Sequence, residues 1–162
     1  MPVENEIKDT TKLSLIAEIN DIYVYRVNNQ GREIIMLEGN NRVSMAHTFM
    51  RVLASLKKVI PTDDEPMVNV AGFFNIVGSE GLPKIGRWQV LIFPRRKHRP
   101  DVFYREDDER IVVSPAVVEM AGVLVTPMER DFNRLDAAAA EAIYREVSLD
   151  GGILMKAMQS MV

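Results

Sequence analysis

From Trp88 to Phe93 the chain reads Trp-Gln-Val-Leu-Ile-Phe, apolar at almost every position, and then meets Pro94. A short run of this kind suits a β-strand covered on both faces. Proline carries no amide hydrogen, so a ladder should end there. The chain has 162 residues, 47% of them hydrophobic, which is enough for one ordinary domain with a real core.

The segments around this strand fall into two periods. Ile22 to Val27 is rich in β-branched and aromatic residues, Asn28-Asn29-Gln30-Gly31 is a turn signal, and Glu33 to Leu37 reads as the return strand of a hairpin. From Val43 to Ile60 the period is helical: Val43, Ala46, Met50, Leu53, Leu56 and Ile60 recur along one stripe, and Pro61 stops it. Thr62-Asp63-Asp64-Glu65-Pro66 is a polar turn, Met67 to Val77 a strand, and Gly78 to Gly86 a loop with three glycines and Pro83. Ile111 to Val113 reads as a short strand, and Gly122 to Thr126 as a further apolar run stopped by Pro127. Asp131 to Leu135 is a short helical segment. Asp136 can cap a helix to about Val147, in which Glu141 and Arg145 form an i,i+4 pair. Ile153 to Met161 reads as a weak terminal helix behind Gly151-Gly152. Hairpin signals outnumber strand–helix–strand signals, so the expected fold is α+β: a mainly antiparallel sheet with one long helix and C-terminal helices, the helices on one face.

Several functions are excluded early. No stretch approaches the ~20 apolar residues needed to cross a bilayer, and the acidic start Met1-Pro2-Val3-Glu4-Asn5-Glu6 is no secretory signal. Cysteine is absent, which removes disulfides and thiolate chemistry. These features point to a cytoplasmic protein. The formal net charge of −3 argues against a nucleic-acid partner, because a phosphate-tracking surface needs an excess of Lys and Arg. The two histidines, His47 and His98, form no His-x-His pair, and no metal site, Ser-His-Asp arrangement, GxGxxG or Walker loop is present. The sequence therefore holds no complete catalytic constellation, implies no cofactor, and offers no metal ligands.

The most informative stretch is Arg95-Arg96-Lys97-His98-Arg99-Pro100, which follows the buried strand and leads into Phe103-Tyr104. Arginine forks match phosphate oxygens in two-point geometry, lysine adds a point charge, and an imidazole can donate or move a proton. The functional reading is a phosphate- or nucleotide-binding edge made by Arg95, Arg96, Lys97, His98 and Arg99. The alternative is a solvated basic loop paired with Glu106-Asp107-Asp108-Glu109 downstream. His47 sits beside the apolar stripe of its helix and reads as a bland flank. Trp88 is either a stacking platform for a base or a core anchor. Glu119 is a ligand contact, the cap of a turn or a side chain that projects into water. The ten methionines read as core filler.

The run Trp88 to Pro100 resembles the strand-and-basic-loop signature of an uncharacterised bacterial family. Ser114-Pro115-Ala116, Glu119-Met120-Ala121-Gly122 and Thr126-Pro127-Met128-Glu129-Arg130-Asp131-Phe132 resemble its further blocks, in the expected order. That family is similar to the C-terminal part of ATP adenylyltransferase (diadenosine tetraphosphate phosphorylase), among the histidine-triad-like and galactose-1-phosphate uridylyltransferase enzymes. The likeness runs from about Met67 to Val147; Ile7 to Ile60 is placed by position and secondary structure only. It implies covalent catalysis through a nucleotidyl-histidine, with basic residues neutralising the transferring phosphoryl group.

The nucleophile of those enzymes lies in a His-x-His-x-Gln-type motif, which this chain lacks. Pro2-Val3-Glu4 resembles an element that follows that motif. Residues 1–162 are accordingly expected to form a single domain, the C-terminal part of a larger nucleotidyltransferase-like protein and a histidine-triad-like half. The resemblance carries over only Arg95, Arg96, Lys97, His98 and Arg99, as ligand contacts and not as nucleophiles. The expected partner is a nucleotide or phosphorylated small molecule. Two other expectations stand beside it: a non-catalytic binding module, and an assembly protein whose exposed apolar surface makes it a homo-oligomer.

Overall fold

A computed structural model describes residues 13–60, 65–77 and 85–161. Pro2-Val3-Glu4, Thr62-Asp63-Asp64 and most of the Gly78–Gly86 loop lie outside the described residues. Among the described residues five strands form one antiparallel sheet in the order β1-β2-β3-β5-β4. They are β1 Leu13–Ile19, β2 Ile22–Asn29, β3 Arg32–Gly39, β4 Val68–Val77 and β5 Ile85–Pro94. The expected α+β class is therefore the observed one.

The β2–β3 hairpin forms where the turn signal lies, but it is tighter than that signal. Asn29 pairs with Arg32, leaving Gln30 and Gly31 as the two loop residues, both at positive φ (50° and 75°). Positive φ at both central positions is the type I′ pattern, whose twist matches that of the strands. The same device, with Asn20 and Asp21 at φ 49° and 64°, joins β1 to β2. Strand β1 has no counterpart in the sequence reading. It is half-exposed and bulged between Leu15 and Ala17, so its alternation is broken.

The long helix α1, Arg42–Val59, begins at Asn41, whose side chain accepts from the backbone N–H groups of Val43 (2.9 Å) and Ser44 (3.1 Å). Short helices α2 (Val117–Met120) and α3 (Glu129–Arg134) precede α4 (Ala137–Val147) and α5 (Gly151–Gln159). Asp136 caps α4 through Ala139 N at 2.8 Å, as expected. Helix α5 starts two residues earlier than its apolar period, because Asp150 caps it through Gly152 and Ile153.

Helices cover both faces of the sheet, not one. On the first face Ile35, Leu37 and Ile92 pack with Val52 and Leu56 of α1 and Leu154 and Met158 of α5. On the opposite face Ile34, Met36, Leu91 and Phe93 pack with Met120 of α2 and Tyr144 and Val147 of α4. Alternate residues of β3 and β5 thus enter different cores, which explains why these strands are apolar throughout.

Ile111 to Val113 and Gly122 to Thr126 are not strands. The N–H of Ile111 goes to the Val102 carbonyl (3.2 Å) and that of Val112 to the Asp131 carboxylate (2.8 Å), so neither is left for a ladder. Ile111 and Val113 are apolar because they pack on Ile143 of α4. Gly122, at φ 100°, ends the α2 turn and turns the chain away from extended geometry.

Candidate functional site: a basic loop held by two clamps

The basic loop leaves β5 at Pro94 and is fixed at once to the end of α4. Leu149 N donates to the Pro94 carbonyl (2.9 Å), Arg96 N donates to the Val147 carbonyl (3.0 Å), and Arg95 bridges Ser148. A two-residue extension of the sheet therefore continues past the proline and ties residues about fifty positions apart.

Arg95 is 4% exposed and lies inside this joint. Its Nη1 donates to Asn69 Oδ1 (2.9 Å) and to the Pro115 carbonyl, and its Nη2 donates to the His98 carbonyl (2.5 Å). Burial pushes its guanidinium pKa down, and the nearby Glu119 carboxylate only partly opposes that. The fork is thus occupied by protein acceptors from β4, from the segment before α2 and from the loop itself. Arg95 sets the loop's shape and does not face the solvent.

The second clamp is Glu146. Its carboxylate receives the Lys97 ammonium and the Asp101 backbone N–H (2.7 Å), and its carbonyl accepts from Arg96 Nε (2.6 Å). Lys97 also reaches Asp101 at 2.6 Å. Hydrogen bonds from Lys97 first to Asp101 and then to Glu146 hold the ammonium pKa above its ordinary value. Glu146 was not legible as a site residue, since it belongs to a helix some fifty residues downstream and carries no local motif.

The outward groups are Arg96, His98 and Arg99, all exposed. Arg96 uses only Nε internally, and both of its Nη groups lack a partner among the described residues. Arg99 donates through Nε to Ser114 Oγ (3.1 Å) and stacks over Phe103 at 4.3 Å, with Arg110 near the same ring at 5.7 Å. Neither Arg96 nor Arg99 forms an ion pair among the described residues, although the Asp101 carboxyl pKa is lowered first by the hydrogen bond from Lys97 and also by the charge of Arg96. The acidic run 106–109 is engaged elsewhere: Asp107 with Arg105, and Glu109 with Arg134 at 3.2 Å. The loop is thus not neutralised by the acids that follow it. Its side chains do not converge on one point either, for Arg96 and Lys97 turn toward α4 while Arg99 turns toward Phe103.

The remaining candidates take structural places. Glu119 Oε2 accepts from Ala116 N (2.9 Å) and caps the α2 turn. Trp88 is half-buried and tilted against Phe74, ring centroids 4.7 Å apart. His47 is exposed on α1. Among the described residues no group of three or more His, Cys, Asp or Glu side chains is placed to hold a metal ion. None of the described helices is long and apolar enough to cross a membrane.

A family model described as GDPGP1-like, C-terminal domain, matches residues 5–153. The chain belongs to this family. The matched family is not ATP adenylyltransferase itself, which corrects the more specific resemblance, although a family of phosphorylase relatives is compatible with its broader sense. The match also takes in β1, β2, β3 and α1, which the sequence blocks alone did not reach. No curated protein and no solved structure matches the chain.

Proposed function

We propose that this GDPGP1-like domain is the C-terminal portion of a nucleotidyltransferase- or phosphorylase-like protein acting on nucleoside polyphosphates or nucleotide sugars. In this reading it supplies a phosphate-holding edge and not the nucleophile. Family membership supports the reaction class, since the family is related to GDP-glucose phosphorylase. The observation that carries the site is the state of Arg96 and Arg99: two exposed forks that form no ion pair among the described residues, on a loop fixed by Arg95 and Glu146. A cation that is not ion-paired and is held in place is prepared for a ligand anion, because little ordering is left to binding. Lys97 and His98 lie between them on the same loop. Lys97 is spent on Asp101 and Glu146 and fixes the loop, and His98 presents an exposed imidazole.

With no His-x-His in the sequence, the chain binds and orients a phosphate but forms no nucleotidyl-histidine of the expected type. The test is calorimetric titration of the chain with a nucleoside diphosphate and with a nucleotide sugar, repeated on Arg96→Ala and Arg99→Ala. Each charge-assisted hydrogen bond lost should cost about 1.5–3 kcal/mol, a weakening of roughly ten- to a hundredfold. Unchanged affinity in both variants would remove the loop from the site. Rapid phosphorolysis by this chain alone would contradict the missing nucleophile.

A further inference from the structure

A groove lies toward the start of β5, away from the basic loop at its end, on the α1 face of the sheet. Trp88 and Val90 of β5 form its floor, Met45, Ala46 and Phe49 of α1 form its wall, and Arg42 stands at its rim. It holds about 360 Å³, within the roughly 300–1,000 Å³ usual for small-ligand pockets. The open space continues over β4. Gly72 pairs with Val90, and a Cβ placed on Gly72 would meet nothing within 4 Å. Residues directly opposite each other in a pair share a face. Gly72 therefore leaves a gap between Val70 and Phe74 in the side-chain layer beside the groove. A glycine inside a strand gives up packing and often marks the close approach of a ligand or another backbone.

The lining decides what fits. Apart from Arg42 and the Trp88 indole N–H, its side chains carry no strong hydrogen-bonding group. A nucleobase or a sugar would leave donors and acceptors unmet there, which is costly. A hydrocarbon chain has no such groups and gains by leaving water. Arg42 adds one requirement. It is exposed and has no hydrogen-bond or ion-pair partner among the described residues. No acidic residue stands in the first turn of α1, and neither α1 nor β4 contains one at any position. The groove thus joins an apolar floor to one unpaired guanidinium, whose fork matches a carboxylate in two-point geometry.

We infer that this groove binds a free medium-chain aliphatic carboxylate, with the carboxylate on Arg42 and the chain laid over Trp88 and Val90 toward Gly72. The site is independent of the phosphate role proposed for the basic loop. Trp88 is the single tryptophan of the chain, so its fluorescence reads the groove directly. The full chain is titrated with octanoate, octanol and octyltrimethylammonium, each below its micelle concentration. Octanoate should give a saturable change in Trp88 emission. It should bind about fivefold more tightly than octanol, as expected for one exposed ion pair, and the cationic amphiphile should bind more weakly still.

Arg42→Gln should remove the advantage of octanoate over octanol. Gly72→Val fills the gap without a clash and suits a strand, so it should keep wild-type thermal stability and weaken octanoate by about tenfold or more. Ala46→Glu, at an exposed position of α1, sets a carboxylate in the groove wall and should block octanoate as well. No saturable response to octanoate, or equal affinity for the three probes, overturns the proposal. So does an octanoate advantage that survives Arg42→Gln, or octanoate binding unchanged in both Gly72→Val and Ala46→Glu. A Trp88 change that follows the concentration of the chain alone, and that Gly72→Val abolishes, would place a second copy in the groove and overturn it too.

Discussion

Arg95 should be the most stability-sensitive residue of the basic run, although its residue type and sequence position mark it as a ligand contact. Replacing it with Met keeps most of the side-chain length and removes the fork. Three acceptors then lose their donor: the Pro115 carbonyl, which is buried, and Asn69 Oδ1 and the His98 carbonyl, which are partly buried. Leaving one buried acceptor unsatisfied costs about 1–3 kcal/mol. Relief of the cost of burying a guanidinium works in the opposite direction, and its lowered pKa shows that this cost is present. A net loss of about 2–4 kcal/mol is expected.

Urea unfolding measures this loss directly. With a slope of about 2 kcal/mol/M, the midpoint should fall by about 1–2 M. Arg95→Lys is the more discriminating variant. It keeps the charge but cannot reach three acceptors in different directions, so it should lose nearly as much as Met. Arg99→Ala gives up one exposed hydrogen bond and a stacking contact, and should cost about 1 kcal/mol or less. Arg95→Lys with wild-type stability but weaker phosphate binding would refute the clamp and return Arg95 to the ligand-binding set.

Gly31→Ala should destabilise by about 2–4 kcal/mol, combining left-handed backbone strain with overpacking. Its Cβ would meet α4 backbone atoms that cannot rotate away. Gly31→Asn eases only the backbone strain, so thermal unfolding should show it nearly as damaged. Asp131 is buried, and its carboxyl pKa is held below the ordinary 3.8, first by the hydrogen bond from Val112 N and then by Arg130. Its stabilising contribution should be complete above the unfolded-state pKa and lost as pH falls through the lower folded-state value. Asp131→Asn should flatten the acid limb of stability, and an unchanged limb would remove Asp131 as a cause. Strand β4 lies at a sheet edge and leaves Phe74 and Ile76 exposed at 52% and 66%. Self-association of the chain through such surface is expected, and light scattering should report a mass above 18.4 kDa.

The sequence was most legible where one residue type controls local geometry. Gln30-Gly31 had to turn and Asp136 could cap; the helix of residues 42–59 was also found, but not its buried face, for Val43, Ala46 and Met50 of the expected stripe are exposed while Met45, Val52 and Leu56 are buried. Reading failed where an apolar residue answered to a distant partner. Ile111 and Val113 look like a strand because Ile143 covers them, and their backbone bonds go to Val102 and Asp131. Strand β1 was invisible for the converse reason. It lies at the other edge of the sheet, half-exposed, so it shows neither a continuous apolar run nor clean alternation.

The basic run shows the same limit at the level of function. Charge and position after a buried strand placed it just beyond β5, where Arg95 is buried and Arg96, His98 and Arg99 are exposed, but they could not divide its labour. That division depends on which acceptors surround each cation. Asn69 and the Pro115 carbonyl claim Arg95, Glu146 claims Lys97, and Ser114 takes only one nitrogen of Arg99. Those acceptors belong to β4, to the segment before α2 and to α4. A run of like charges becomes a binding edge only when the fold satisfies some of them and leaves others unspent. Here the satisfied residues fix the loop, and Arg96, joined to α4 through one nitrogen, keeps its remaining donors exposed.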